Sequence, residues 1–265
     1  MPWATNDGVE LYYERHGTGP PVVFVPTLGL GPWQWAWQHP AVVGPFSAIV
    51  YHGRRTGRSE APPGRDEIDD LVGDLEAVLS AADVRRAHAV GLGLGGTVAL
   101  EYAHQHDRLR SLVLVGTPAG GADMPSGETW LTMAATTDDR TALEATTHKM
   151  LSTAFCRDHP EAITEIVGWR ADEDATLADW EATAAAADEY ERNWPLYEMT
   201  LPTLVIHGGA DAIVLPSNAD QLTSGLPRAT TRRFPDAGHL VTVERSRPLN
   251  DQLVGFLDEH ASVER

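Results

Sequence analysis

The stretch "VGLGLGGTVALEY", Val90 to Tyr102, decides the fold. Small and apolar residues suited to a strand run into a glycine turn, and a helical pattern follows at once. The first backbone amides of a helix have no partner within it, so such a turn offers donors to developing negative charge. The residue at its apex is Gly93, which brings no side chain. Glycines at 91, 93 and 96 also match the spacing of a dinucleotide-binding loop, but no acid closes the next strand, "SLVLVG" (111–116), so no nicotinamide cofactor is expected.

Outward from this turn, short apolar runs recur as "PVVFVP" (21–26), "SAIVY" (47–51), "AHAVG" (87–91), "SLVLVG" and "TLVIH" (203–207). Unbroken apolar runs of this length suit strands buried on both faces, as in a parallel sheet. Helical patterns lie between them. In "DEIDDLVGDLEAVLSAADV", Ile68, Leu71, Val72, Leu75, Val78 and Leu79 recur at three- and four-residue spacing. Leu249, Leu253, Phe256 and Leu257 repeat the device near the end of the chain. "VELYYERH" (9–16) alternates and is expected as an antiparallel edge strand. The fold class is therefore α/β, a mostly parallel doubly wound sheet. Residues 122–197 break the rhythm with helical runs and no clear strand. They read as a helical lid inserted into a core made of 1–121 and 198–265, with Trp130, Trp169, Trp180 and Trp194 available to face inward.

The formal charge is −18 over 265 residues, an acidic surface that repels phosphate backbones and anionic lipid, so neither nucleic acid nor membrane is an expected partner. No segment approaches the apolar length that spans a bilayer, and the N-terminus lacks the pattern of a secretory signal, so the chain is expected to be cytoplasmic. Cys156 is the only cysteine, which leaves no intrachain disulfide. His104 and His106 have no carboxylates or histidines at ligand spacing, and no metal or other cofactor is expected. A small-molecule substrate is the expected partner, and a homodimer stays open.

Ligand sites of parallel sheets form beyond the carboxyl ends of the strands, so four loops matter: "PTLGLGPWQW" (26–35), the Gly91–Gly96 turn, "HGGADAIVLP" (207–216) carrying Asp211, and "PDAGHLVTVE" (235–244) carrying His239. In this order they resemble the α/β-hydrolase superfamily, in which the turn holds a serine and an acid and a histidine follow. The run from "PTLG" through "RTGRSEAPPG" to "LRSLVLVGTPAGG" looks most like oxoadipate enol-lactonases and related small-molecule hydrolases.

The resemblance implies that Asp211 orients the His239 ring, and that the backbone amides of Leu28 and Leu94 form an oxyanion hole. Thr27, Trp33, Trp35, Thr117 and Trp130 are expected around the substrate. Three departures stand out. Gly93 replaces the nucleophile, which closes the acyl-enzyme route there. His52 and Arg55 replace an aspartate and a glycine, and are expected mainly to rebuild the local turn. Pro26 and Thr27 replace the His-Gly of many relatives. The expected function is non-hydrolytic acid/base chemistry (lyase, isomerase, cyclisation or carbon–carbon coupling) on a carbonyl-bearing, partly apolar metabolite. The alternatives are a ligand-binding pseudo-hydrolase and a serine hydrolase, for an ester or lactone, whose nucleophile was engineered to glycine.

Overall fold

A computed structural model describes residues 2–261. Its strands are β1 (Trp3–Asn6), β2 (Val9–His16), β3 (Pro21–Val25), β4 (Ser47–Tyr51), β5 (Ala87–Leu92), β6 (Leu109–Val115), β7 (Thr203–Gly208) and β8 (Ala229–Phe234). They form one sheet in the order β1-β2-β4-β3-β5-β6-β7-β8. β1 and β2 pair antiparallel, β2 pairs antiparallel with β4, and every pairing from β4 to β8 is parallel. β5 and β7 are buried along their whole length, as their unbroken apolar runs require.

The helices are α1 (His39–Val42), α2 (Ile68–Ala81), α3 (Leu94–Gln105), α4 (Gly127–Leu131), α5 (Arg140–Met150), α6 (Thr153–Asp158), α7 (Pro160–Glu173), α8 (Leu177–Glu189), α9 (Ser217–Gly225), α10 (Val241–Glu244) and α11 (Ser246–Glu259). They cover both sides of the sheet. The helical pattern of residues 66–84 forms α2, which buries Ile68, Val72, Leu75, Val78 and Leu79. Helices α4 to α8 all lie between β6 and β7, with no strand among the described residues of that stretch. No helix of the described residues is long and apolar enough to cross a membrane.

Two strands were not legible as runs. Val9–His16 is not the edge, because β1 pairs on its outer side. Asp7 and Gly8 turn the chain between them with φ of 45° and 87°, the left-handed pair that an Asp-Gly hairpin turn uses. β8, "ATTRRF", is polar and only partly buried because it closes the other edge. The parallel register carries the ends of β3, β5, β6, β7 and β8 to one rim, and the loops that follow them build the site.

Candidate functional site

Gly93 stands between β5 and α3 with φ 53° and ψ −122°, backbone that an L side chain occupies only under strain. Its N–H donates to the Val115 carbonyl at 2.9 Å, which ties the turn to the end of β6. A β-carbon on Gly93 would lie 2.5 Å from Thr27 Oγ1 and 3.2 Å from His239 Nε2. Two loops from different strands therefore aim polar atoms at the apex of the turn. Both atoms are buried, and neither has a hydrogen-bond partner among the described residues.

Behind His239, its Nδ1 donates to Asp211 Oδ2 at 2.9 Å. Asp211 is held from its other side as well, because Oδ1 accepts the backbone N–H groups of Ile213 at 2.9 Å and Val214 at 3.0 Å. Burial alone would raise the Asp211 pKa. Electrostatic attraction to His239 and the hydrogen bonds of His207 and His239 outweigh burial and hold the carboxyl well below the usual range. An ionised Asp211 requires a proton on His239 Nδ1, which leaves Nε2 as the nitrogen that faces Gly93.

Several residues that sequence reading passed over complete this arrangement. Gly116, at the end of β6, would place a β-carbon 3.2 Å from His239 Nδ1 and 3.4 Å from Asp211 Oδ2, so its missing side chain makes room for the pair. His207, at the start of the Asp211 loop, is a second support. Its Nε2 donates to Val214 O at 2.9 Å and lies 3.4 Å from Asp211 Oδ2, so it also steadies the acid. Glu244 accepts the Gly238 N–H at 2.7 Å and the Ser152 N–H at 2.7 Å, pinning the His239 loop to the start of α6. Gln34, wholly buried, accepts the Thr27 N–H at 2.9 Å and donates to Leu30 O and Gly31 O. A glutamine inside an otherwise apolar "GPWQW" was the available signal.

Leu94 opens α3 and Leu28 lies in the loop after β3. Among the described residues neither amide donates to an acceptor of the chain, and both residues line a cavity whose walls include Thr27, Gly29, Arg54 and Asp74 and neither Gly93 nor His239. From the helical insert, Trp130 stands edge-on to His239 with ring centroids 6.0 Å apart. Trp180 lies on Gly29, where a β-carbon would come within 2.2 Å of its ring. Both indole N–H groups are buried without a partner among the described residues.

Three expected pocket residues are placed elsewhere. Trp33 and Trp35 line a separate groove with Tyr12, His52, Arg58 and Trp169. Trp33 Nε1 donates to Asp174 at 2.8 Å, and Trp35 packs on Phe24 with centroids 5.0 Å apart. The 3-10 turn at Pro32–Trp35 explains this, since it directs both rings away from the strand ends while Gln34 points back to the loop. Thr117 is fully buried, donates its hydroxyl to Val115 O at 3.3 Å and fills the space left by Gly96. It serves packing of α3 on β6.

The two substituted residues of the 52–60 loop build structure. His52 Nδ1 accepts the Arg58 N–H at 3.0 Å, and burial pulls its pKa down to about 4. Arg55, at φ 71°, binds Asp66 through two nitrogens at 2.9 and 3.0 Å and reaches Asp179 on α8 at 3.1 Å. Thr183, also on α8, donates to Asp66 at 2.7 Å. This buried ionic cluster ties the insert to the core beside Trp180.

Comparison with known proteins agrees with the fold. A family model described as "alpha/beta hydrolase fold" matches residues 20–246. A putative carbamate hydrolase, RutD of Azorhizobium caulinodans, is 28% identical over 98% of this chain and 99% of its own. The polyketide synthase ThaQ of Burkholderia thailandensis is 32% identical over 92% of this chain, which spans 12% of that much longer protein. Among solved structures, the enol-lactonase of Burkholderia xenovorans LB400 superposes with a TM-score of 0.87 at 26% identity, covering 97% of this chain and all of the other.

Proposed function

The chain belongs to the α/β-hydrolase family, and from that premise we propose that it is a cofactor-independent enzyme performing acid/base chemistry on a carbonyl-bearing, partly apolar metabolite, without a covalent intermediate on the elbow. One observation carries this reading. His239 Nε2 is buried and unpartnered, backed by an ionised Asp211, and faces a turn whose residue has no side chain to activate. A protein that only bound ligand would have no use for an imidazole oriented in this way.

In this reading the Leu28 and Leu94 amides hold the carbonyl oxygen, and His239 Nε2 removes a proton from the bound molecule and returns it at another atom. The charge that develops is an enolate or alkoxide, stabilised by donors already in place. Trp130 and Trp180 roof the site, keep water out and supply the apolar surface for the body of the substrate. The helical insert of residues 122–197 acts as the lid that admits it. The match to part of a polyketide synthase supports a substrate of that general kind, polyoxygenated and partly apolar.

The test is exchange of the α-protons of 4-phenylbutan-2-one in D2O, followed by NMR. The protein should accelerate exchange, and His239→Ala should remove the acceleration while leaving the fold intact by circular dichroism. Equal exchange with and without His239 sinks the reading.

The hydrolase names of the relatives favour a second reading, ester or lactone hydrolysis. With glycine on the elbow, His239 would then have to deliver water directly to the carbonyl. Turnover of p-nitrophenyl acetate by the unmodified protein, without α-proton exchange, would select it.

A further inference from the structure

We propose that Thr27 supplies the hydroxyl that the elbow lacks, and that it and His239 grip the hydroxyl oxygen of a β-hydroxycarbonyl substrate whose carbonyl oxygen lies on the Leu28 and Leu94 amides. The inference rests on the acid/base reading above and names its substrate class. Thr27 Oγ1 and His239 Nε2 lie 2.5 and 3.2 Å from the single point where Gly93 would carry a β-carbon. Thr27 is 3% and His239 1% exposed, and both polar atoms are without partners among the described residues. Two buried polar atoms left unsatisfied around one point are costly unless a bound group completes them.

The two atoms differ in what they need. His239 Nε2, with its proton on Nδ1 toward Asp211, accepts; Thr27 Oγ1–H donates. An alcohol oxygen can give a proton to the first and then receive a hydrogen bond from the second as it gains charge. Thr27 and Leu28 are adjacent in the chain, as are Gly93 and Leu94, so the hydroxyl station and the amide station are neighbours. A ligand bridging them carries a hydroxyl and a carbonyl a few bonds apart. Gln34 fixes the Thr27 backbone at 2.9 Å, which holds the hydroxyl in place before any ligand arrives.

The step this geometry favours is retro-aldol cleavage. His239 Nε2 takes the hydroxyl proton, and the C–O bond becomes a carbonyl. The bond between the carbinol carbon and the α-carbon breaks, and its electron pair forms the enolate held by the Leu28 and Leu94 amides. His239 then returns the proton to the α-carbon. Nothing is oxidised or reduced, no co-reactant enters, and the reverse direction joins two carbonyl compounds or closes a ring.

The probe is 4-hydroxy-4-phenylbutan-2-one, with benzaldehyde release read by absorbance. The wild-type protein should cleave it, and Thr27→Val should lower kcat about ten- to hundredfold with a much smaller change in KM, the loss of one hydrogen bond to a charged oxygen. Thr27→Ser should recover most of the rate. Should Thr27→Val fail to fold, the comparison of Thr27→Ser with Thr27→Ala decides in its place. Wild-type exchange of 4-phenylbutan-2-one without cleavage of the hydroxyketone overturns this inference and leaves the acid/base reading standing. So does equal cleavage by wild type and Thr27→Val. Absence of exchange overturns the acid/base reading itself. A covalent fluorophosphonate adduct mapped to Thr27 would show that the hydroxyl attacks substrate, and would replace the proposed grip with nucleophilic catalysis.

Discussion

Thr27 Oγ1 lies 2.5 Å from the point at which a β-carbon on Gly93 would stand, so the two residues compete for one place. In the family pattern the serine of this turn carries the hydroxyl. Here the oxygen nearest that point is Thr27 Oγ1, in the loop after β3.

Gly93→Ser is therefore not a simple restoration. The strained backbone and the clash with Thr27 should cost about 1–3 kcal/mol in urea unfolding, and Thr27 must rotate to admit the new side chain. Esterase activity toward p-nitrophenyl acetate should be weak in the single variant. The double variant Gly93→Ser/Thr27→Ala should exceed it about tenfold or more, since removal of Oγ1 frees the nucleophile to approach His239. A single variant as active as the double would show that the two side chains do not compete.

His88 should make the protein acid-sensitive. It is fully buried on β5, its Nδ1 is 2.7 Å from Ser111 Oγ, and burial with the nearby charges of Arg110 and His260 lowers its pKa to about 4. A base with a depressed native pKa binds fewer protons folded than unfolded between that value and about 6.5. Its stability contribution is complete above about 6.5 and falls as pH drops toward 4. His88→Gln should flatten the decline of unfolding free energy with pH over that window, by roughly 2–3 kcal/mol at most. An unchanged slope in denaturant titrations would remove His88 from the account.

Arg55 joins Asp66 in the core to Asp179 on α8, and its side chain is almost wholly buried. Arg55→Ala leaves Asp66 with less cationic compensation, and loss of one partner of a buried pair costs about 3–5 kcal/mol. Because Arg54 and Thr183 still reach Asp66, the lower end is expected. Limited proteolysis should also cut the 122–197 region faster, as α8 loses its tie to the core. Loss of stability without faster cleavage there would separate the ion pair from the docking of the insert.

Gly29 and Trp180 offer a test of the roof. A β-carbon on Gly29 would fall 2.2 Å from the Trp180 ring, and φ of 69° at Gly29 adds strain. Gly29→Ala should displace α8, expose the indole and shift tryptophan emission to longer wavelength. It should also weaken carbonyl binding, since Leu28 follows the same loop. Unaltered emission would place Trp180 off the loop in solution.

What the sequence determined by itself is periodic or local. The apolar runs of β3 to β7, the three- and four-residue spacing in α2 and α11, and the strand–glycine–helix turn at Gly93 each record burial or backbone freedom residue by residue. The order of turn, Asp211 and His239 was legible because the motifs that carry it are local and follow one another along the chain. Tertiary structure alone decided which side chains meet. β1 and β8 escaped reading because edge strands need no continuous apolar run. Trp33, Trp35 and Thr117 were expected at the substrate and are used in packing, since a residue's place in a loop does not state which way its side chain turns. Thr27 above Gly93, Gly116 beneath the His239–Asp211 pair and Trp180 on Gly29 are contacts between segments far apart in the chain, fixed by the crossing of strands and helices and by the space a missing side chain leaves.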